Sequence, residues 1–474
     1  MKKTALVILA VLASLQAGWP AIQGSSSVEG YWLGTLRISG IELRVAFNIK
    51  ANPEGTLTAA LDSIDQGARD IPTSSVVFAD GKLTVEIAAV QGRYEGLLDA
   101  ERKTINGTFT QAGTAFPLNL ARQDKPLEIR RPQEPKKPYP YDEREVSYSN
   151  PAAGITLGGA LTLPPHSGPH PAVILISGSG AQDRDETVFN HKPFLILADH
   201  LTRLGVAVLR VDDRGVGKSG GDHAQSTTED YATDVEAGIA YLQSRPDIDA
   251  ERIGLIGHSE GGIIAPLVAS RNAATAFIVL IAGTGLPGED ILLLQSDLIS
   301  RASGVDEDII GQNLEVNKKI FALIKAEPDP SAAEKKIRDF MEELYLNLSE
   351  ERKKEIENKE TWIQSLVANV NNPWFRYFLT YDPRPALEKV RCPVLAVIGE
   401  KDLQVPADIN LQAIGEALQK GGNSRFRIEK LSGLNHLLQT ATTGAPSEYG
   451  SIEETMSPAA LDLIGRWILE ITKK

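Results

Sequence analysis

The hydrophobic pattern changes twice along the chain, and its first part is made of short alternating segments. Over residues 28–122, apolar runs alternate with turn signals such as Asn52-Pro53-Glu54-Gly55 and Asn106-Gly107. Seven or eight strands at roughly ten-residue spacing, with no helical period, predict a small antiparallel β domain, either a barrel or a sandwich. Such a domain could serve as a packing or spacer module, or it could bind a ligand or a second copy.

A proline-rich segment follows at residues 123–142. It contains Pro126, Pro132, Pro135, Pro138 and Pro140 among charged residues. Because proline removes a backbone donor and fixes φ, this composition favours extended backbone over a helix or a central strand. The segment is therefore predicted to be a linker between two domains.

Over residues 143–474 the pattern becomes strand, turn and helix in repeated order. Five short apolar runs are typical of strands buried on both faces, at 173–176, 206–211, 253–256, 277–281 and 394–398. Stretches of helical spacing separate them, for example 194–204 and 231–242. This alternation predicts the α/β class, with a mostly parallel sheet covered by helices on both faces.

A long helical insertion is predicted between the fourth and fifth of these strands, at about 286–382. It leaves the sheet at its carboxyl end, where ligands bind in open α/β sheets, so we expect it to form a cap. Its aromatic residues Trp362, Trp374, Phe375 and Phe378 are candidates for a substrate pocket. An apolar stripe at helical spacing also runs through the insertion, and packing is the alternative to substrate contact for it; its residues are Ile337, Phe340, Met341, Leu344 and Leu348.

The N-terminus has the layout of a secretory signal peptide. Lys2 and Lys3 precede an apolar run at 5–15, and small residues follow. We expect the signal peptide to lie within residues 1–24, with cleavage after Ala17 and Gly24 as the alternative last residue. The protein is then expected to be exported to the periplasm or the exterior. No other stretch reaches the ~18 apolar residues of a membrane span, so none is expected in the mature chain.

Composition narrows the chemistry. The chain has 474 residues, of which 42% are hydrophobic and 23% charged, as in ordinary globular proteins. Its net charge is 49 − 62 = −13, which makes nucleic acid an unexpected partner. With Cys392 as the single cysteine, neither an internal disulfide nor a cysteine-rich zinc site can form. We expect no metal and no cofactor. The candidate catalytic groups are therefore serine, histidine and carboxylate side chains.

Two Gly-x-Ser-x-Gly patterns are candidates for a nucleophile. Gly257-His258-Ser259-Glu260-Gly261 directly follows a buried strand and runs into an apolar helix, as a sharp strand-to-helix turn requires. Gly217-Lys218-Ser219-Gly220-Gly221 lies several residues beyond its strand and is followed by polar sequence. Ser259 is therefore the predicted nucleophile, and Ser219 is predicted to lie in a loop.

A nucleophilic serine needs a histidine base and a carboxylate that orients the histidine, in the chain order Ser, Asp or Glu, His. His436 is the one histidine after Ser259. The acid should follow a strand, and Asp402 comes directly after the run at 394–398, with Glu400 as a near alternative and Asp408 further along.

These motifs together resemble the α/β-hydrolase superfamily. More narrowly, Ser177-Gly178-Ser179-Gly180-Ala181-Gln182-Asp183-Arg184-Asp185 is similar to bacterial exported serine esterases near the dienelactone-hydrolase and serine-aminopeptidase-like branches. The resemblance covers roughly residues 143–474 and departs at Ser177, where many relatives have histidine. It implies an oxyanion hole made by the backbone N–H groups of Ser179 and Glu260. Gly178 or Gly180 would replace Ser179 if the loop were shifted by one residue.

The resemblance implies a serine hydrolase that cleaves carboxylic esters through an acyl-enzyme, most simply a short-chain carboxylesterase with a small-molecule ester as its substrate. Two alternatives stay open. The same triad cleaves amides, so the protein could be a peptidase acting on small peptides or aminoacyl groups. It could also be an inactive cell-envelope binding protein, although a complete triad argues against that. The sequence does not indicate an oligomeric state.

Overall fold

The computed structural model describes residues 28–38, 41–66, 68–127, 130–356 and 358–473. The predicted signal peptide lies outside these ranges and stays a prediction. Across the described part of the chain, no helix is both long enough and apolar enough to cross a bilayer.

The N-terminal β domain is one antiparallel sheet, in which the described residues form nine strands. In sheet order, β4-β3-β2-β1-β9-β8-β7-β6-β5, each strand pairs with its neighbours. The strands are β1 (Gly30–Ile38), β2 (Ile41–Ala51), β3 (Leu57–Ser63), β4 (Ala68–Pro72), β5 (Ser75–Ala79), β6 (Lys82–Ile87), β7 (Gly92–Leu98), β8 (Thr104–Gln111) and β9 (Thr114–Gln123).

Alternating burial explains why these segments form a sheet around one core. In β6, for example, Leu83, Val85 and Ile87 are fully buried and their neighbours are more exposed, which is the period of two expected of a half-buried strand. Strands β3 and β5, near opposite ends of the sheet, contact each other, so the sheet curls into a barrel-like shape. The sequence analysis missed β4 and β5, because these five-residue end strands bury few of their residues.

The second sheet has eight strands within the described residues. They are β10 (Asp142–Asn150), β11 (Ile155–Leu163), β12 (His170–Ile176), β13 (Ala207–Val211), β14 (Ile248–His258), β15 (Thr275–Ile281), β16 (Val394–Gly399) and β17 (Phe426–Leu431). Their order is β10-β11-β13-β12-β14-β15-β16-β17. The six strands β12 to β17 are parallel, and β10 and β11 are antiparallel additions at one edge.

Helices cover both faces of this sheet, as predicted. The helices that pack on the sheet or join its strands are α1 (Pro193–Arg203), α2 (Thr228–Gln243), α3 (Gly261–Ala269), α11 (Ala407–Lys420) and α13 (Pro458–Ile471). The short helix α12 (Pro446–Tyr449) follows β17 and contacts β2 of the β domain. In β12, Ile174 and Ile176 join the core under α2, α3 and α11, whereas Val173 and Leu175 join the core under α1 and α13. Burial on both faces is why the strand is a continuous apolar run.

The helical insertion lies between β15 and β16. It comprises α4 (Gly288–Ala302), α5 (Glu307–Ala326), α6 (Pro330–Asn347), α7 (Glu350–Glu355), α8 (Lys359–Val370), α9 (Pro373–Thr380) and α10 (Arg384–Leu387). Side-chain caps begin several of these helices; Asp306, Asp329 and Asn372, for example, each accept a hydrogen bond from a first-turn N–H. The insertion has its own apolar core, which includes Ile337 and Ile363.

The proline-rich segment is bound to the second domain along part of its length. The Gln133 side chain accepts hydrogen bonds from the N–H groups of Thr455 (2.6 Å) and Met456 (3.1 Å), and it donates to the Met456 carbonyl (2.7 Å). The Arg131 guanidinium donates to the carbonyl oxygens of Gly450 and Ile452. The segment therefore fastens residues 450–456, which lie between α12 and α13.

We expect Gln133→Ala to destabilise the protein by about 1–3 kcal/mol, because it leaves two partly buried N–H groups without a partner. The matched control is Gln123→Ala, since the Gln123 amide donates a long hydrogen bond (3.4 Å) to Ala121 on its own strand. Urea unfolding followed by fluorescence would measure both variants. Equal midpoints for the two would contradict a stabilising role for the Gln133 contacts.

Candidate active site

The turn at Ser259 joins the end of β14 to the start of α3. Ser259 has φ +52°, in the left-handed region that side chains rarely adopt. Its backbone N–H donates to the Ile281 carbonyl on the neighbouring strand (2.8 Å). A Cβ at Gly257 would overlap the Gly261 carbonyl, and a Cβ at Gly261 would overlap that of Ile176. Both glycines are thus required by close backbone approach, the physical reason for the Gly-x-Ser-x-Gly spacing.

Asp402 and His436 lie together at the carboxyl ends of β16 and β17. The His436 Nδ1 atom is 2.8 Å from Asp402 Oδ2, and both residues are buried. The other Asp402 oxygen accepts hydrogen bonds from the N–H groups of Gln404 and Val405, each at 2.8 Å. With Nδ1 donating to the carboxylate, His436 Nε2 is left as the proton acceptor.

The two alternative acids lie elsewhere. Glu400 accepts hydrogen bonds from the Ser432 hydroxyl and the Gly433 N–H at the surface. Asp408 pairs with Lys430 (2.8 Å) and is exposed. Among the three carboxylates considered, Asp402 is the one that the structure brings to His436.

His436 contacts the residue that precedes Ser259. The ring of His258 is 4.9 Å from the His436 ring between centroids, and His258 Nε2 is 3.1 Å from the His436 carbonyl oxygen. Within the described part of the chain, no hydrogen bond joins the Ser259 hydroxyl to His436. Catalytic hydrogen bonds are often long or absent without substrate, so a missing hydrogen bond does not exclude a serine–histidine pair.

The loop after β12 presents a backbone N–H beside Ser259. Its first N–H, that of Gly178, donates to Glu186 Oε1 (2.6 Å). The next, that of Ser179, donates to none of the described residues, and the same holds for the N–H of Glu260. Ser179, Ser259 and Glu260 line one cavity. Gly178 is thus engaged elsewhere, and Gly180, with φ +101°, is exposed and does not line this cavity.

The Ser177 side chain shows what replaces the histidine of many relatives. Its hydroxyl donates to Asp213 Oδ1 (2.7 Å), and Asp213 Oδ2 accepts from the Gln182 N–H (3.1 Å). Asp213 therefore holds the loop at two points. Burial raises the pKa of Asp213 to about 8, far above the usual range of a carboxyl.

The cavity at Ser259 has a volume of about 70 Å³. Two of the four predicted aromatic residues, Trp374 and Phe378, line it together with Leu292 of the insertion. Trp362 and Phe375 do not line it; they pack in the apolar core of the insertion. Among the residues that the structure describes, no group of three His, Cys, Asp or Glu could hold a metal ion.

The Glu260 side chain is a site feature that the sequence analysis missed. Its Oε1 atom accepts hydrogen bonds from the Thr228 hydroxyl (2.7 Å) and from the Trp374 indole N–H (2.8 Å). Burial raises the pKa of this carboxyl. The residue after Ser259 thus connects the turn to α2 and to α9 of the insertion. No local signal reveals these contacts, because the partners are 32 and 114 residues away.

The second Gly-x-Ser-x-Gly pattern lies in a loop, as predicted, but its serine is buried. The Ser219 hydroxyl donates to the Asp212 carbonyl (2.6 Å) and accepts from the Gly158 N–H on β11 (3.0 Å). These contacts join the loop after β13 to a neighbouring strand. Ser219 therefore stabilises local structure and does not line the cavity of Ser259.

Comparison with known proteins gives three relevant similarities. Residues 192–303 match the family described as "Serine aminopeptidase, S33". The esterase EstD of Thermotoga maritima is 25% identical over 400 residues, which cover 80% of this chain and 82% of that protein. The esterase FrsA of Vibrio vulnificus is 35% identical over 94 residues, 20% of each chain. A solved esterase of Pyrococcus furiosus superimposes with a TM-score of 0.43 at 15% identity, covering 73% of this chain and 98% of that one.

The mostly parallel sheet, the strained serine turn after a central strand and these sequence matches define the class. The sheet and the sequence matches are those of the α/β-hydrolase superfamily, with an antiparallel β domain before the parallel sheet, and the matches support a hydrolase. The superfamily predicted from the motifs is thereby confirmed.

We expect Ser259→Ala to lower the turnover of an ester substrate by about 10⁶-fold, as removal of a triad serine does. Ser219→Ala is the matched control: it should change turnover by less than about tenfold, or about 1.4 kcal/mol. A fluorophosphonate label followed by peptide mapping should mark Ser259 and disappear in His436→Ala, because the unassisted hydroxyl is a weak nucleophile. Label on Ser219, or full activity of Ser259→Ala, would refute the assignment.

Asp213 should make stability fall as the pH rises. Folding raises the pKa of Asp213. Its contribution to the free energy of unfolding is therefore fully present below the pKa of the unfolded chain, near ~4, and is lost as the pH rises through the folded-state pKa of about 8. Asp213→Asn has nearly the same shape and carries no charge at any pH, and its amide oxygen can still accept a hydrogen bond from Ser177 or from Gln182. Urea unfolding at pH 6 and pH 8 should show a loss of about 1 kcal/mol per pH unit that is smaller in the variant. Equal losses would contradict the prediction.

Proposed function

We propose that the protein is a serine esterase that hydrolyses short-chain carboxylic esters through an acyl-enzyme. The observation that carries the proposal is a buried Asp402–His436 pair whose backbone contacts His258, the residue before the strained turn at Ser259. The esterase EstD, which resembles most of the chain, supports the same reaction class. Ser259 is the nucleophile, His436 the general base and Asp402 the group that orients His436.

Each half-reaction moves one proton through His436. The Ser259 oxygen attacks the ester carbonyl while His436 Nε2 takes the hydroxyl proton, and the Asp402 carboxylate stabilises the imidazolium. The N–H groups of Ser179 and Glu260 bind the oxygen that becomes negatively charged. His436 then gives the proton to the departing alcohol. Water repeats the sequence on the acyl-enzyme and releases the acid.

The cavity favours a small acyl group. Its apolar lining comes from both the sheet domain and the insertion, as Ile263, Ile291, Leu292, Phe378 and Val405. These side chains can bury a short hydrocarbon, which stabilises binding by about 0.8 kcal/mol per methylene. The lining includes Gln295 and Gln404, which hydrogen-bond to each other (3.1 Å) and add polar groups at the same wall.

A peptidase is the second candidate, and the family matched at residues 192–303 favours it by description. A peptidase selective for free N-termini needs an anionic group for the ammonium. Glu260 is the carboxyl in the cavity lining, but its Oε1 is already bound to Thr228 and Trp374, and burial raises its pKa. These contacts favour an ester substrate over an aminoacyl group.

A substrate panel tests the proposal. We expect p-nitrophenyl esters from acetyl to hexanoyl to be hydrolysed with kcat/KM values at least about 100-fold above those of aminoacyl anilides, a difference of about 2.7 kcal/mol in transition-state binding. The Ser259→Ala protein is the control for background hydrolysis. Faster cleavage of the anilides would move the protein to the peptidases, and no turnover of either class would favour an inactive binding protein.

A further inference from the structure

A second histidine–carboxylate pair lies beside the proposed catalytic pair. His258 Nδ1 is 2.8 Å from Glu186 Oε1, and His258 Nε2 is 3.1 Å from the backbone carbonyl oxygen of His436. His258 is 7% exposed and Glu186 2%. The reaction described above assigns no role to either residue.

The partners of His258 determine how many protons its ring carries. A carboxylate oxygen and a carbonyl oxygen both accept hydrogen bonds, whereas a neutral imidazole has one N–H to donate. A neutral ring would turn one lone pair towards an oxygen at hydrogen-bonding distance. Glu186 Oε1 also accepts the Gly178 N–H (2.6 Å), as expected of an ionised carboxylate. The two contacts are both satisfied when the His258 ring is doubly protonated.

We propose that His258 is a buried imidazolium ion, paired with the Glu186 carboxylate, and that the pair positions His436 and the oxyanion loop. Through Nε2 it holds the carbonyl of His436, and through Glu186 it holds the N–H of Gly178. The positioning role rests on the proposed function of His436; the charge state of His258 does not. Both residues are positioning residues, since neither lines the cavity at Ser259.

The charges around the pair favour an ion pair, although Glu186 Oε2 is buried without a hydrogen-bond partner among the described residues. Burial disfavours the charged form of His258, but the charge and hydrogen bond of Glu186 outweigh it and raise the pKa of His258. The other ionisable groups that face the pair are His436 and Asp402, together with Asp213 and Glu260, two carboxyls whose pKa values burial raises. Because the pair is neutral as a whole, it can hold His436 with little net repulsion of the positive charge that His436 gains during the reaction.

The backbone is built closely around the pair. Glu186 has φ +53°, a strained conformation for a non-glycine residue, which persists where the surroundings hold it. A Cβ at Gly178 would lie 3.2 Å from the Ser259 Cβ, 3.3 Å from Glu186 Oε1 and 3.5 Å from His258 Nδ1. The loop, the serine turn and the ion pair are thus in mutual contact, so a displacement of one moves the others.

The direct test is ¹⁵N NMR of the full chain with ¹⁵N-labelled histidine. His258→Gln identifies the His258 signals by their loss; if that variant does not fold, the signals that shift in Glu186→Gln identify them. At pH 8 both His258 nitrogens should be protonated, whereas His191, whose pKa burial lowers to about 4, should be neutral. One protonated and one unprotonated His258 nitrogen, including the case of a proton held by Glu186, would overturn the proposal.

Kinetics test the positioning role. We expect Glu186→Gln to lower kcat by about 10- to 100-fold with KM changed less than about threefold, because a displaced His436 affects the reaction more than binding. Without its carboxylate, His258 should lose a proton as the pH rises and release one contact, so kcat/KM should gain a new alkaline decline. Asp62→Asn is the control, a buried carboxylate in the β domain that also loses an ion pair, with Arg69.

The two proposals fail in different ways. An unchanged pH profile and kcat in Glu186→Gln, or an equal change in Asp62→Asn, would refute the positioning role. If the protein hydrolysed no ester, the proposed function would fail, but the NMR spectrum would still decide whether His258 is an imidazolium ion.

Discussion

The backbone conformation of Ser259 is the constraint on which the site depends. A left-handed conformation costs a non-glycine residue about 1–2 kcal/mol, so the surrounding structure must hold it. Two features stabilise this conformation. The Ser259 N–H donates a hydrogen bond to the Ile281 carbonyl, and Gly257 and Gly261 allow the start of α3 to pack closely against the end of β12. The strain lifts the hydroxyl out of the sheet and brings the N–H of Glu260 to the same cavity. A straight strand-to-helix connection would place neither the Ser259 hydroxyl nor the Glu260 N–H at the cavity.

Buried polar groups then lock the neighbouring loops to this turn. The loops after β12, β13, β14, β16 and β17 meet at the carboxyl edge of the sheet, where little water is available to their polar groups. A buried polar group costs free energy unless it is hydrogen-bonded, and the loops satisfy one another. Ser177 binds Asp213, Glu186 binds His258, and Asp402 binds His436. Mutual satisfaction of this kind favours one arrangement of the site over many.

The two additions to the hydrolase sheet contact the same region from outside. The insertion reaches the serine turn through the hydrogen bond from Trp374 to Glu260. The β domain contacts the insertion through the hairpin between β8 and β9, where the Asn358 N–H donates to the Gly113 carbonyl (3.3 Å). The linker holds residues 450–456 through Arg131 and Gln133. Both additions can therefore influence the shape of the cavity, although the β domain contributes no residue to its lining.

The sequence by itself determined the features that depend on local chemistry. The alternation of buried strands and helices predicted the fold, and the small residues around Ser259 predicted its turn, because sharp backbone approach excludes side chains wherever it occurs. Asp402 and His436 were predicted from chain order and strand ends.

The tertiary structure decided the rest. Trp374 and Trp362 have the same helical pattern, yet one lines the cavity and the other packs in the insertion, because periodicity marks an apolar face without saying what covers it. The contacts of His258 span 72 and 178 residues, and the protonation of Asp213 depends on burial, so neither could be read from neighbours in the chain.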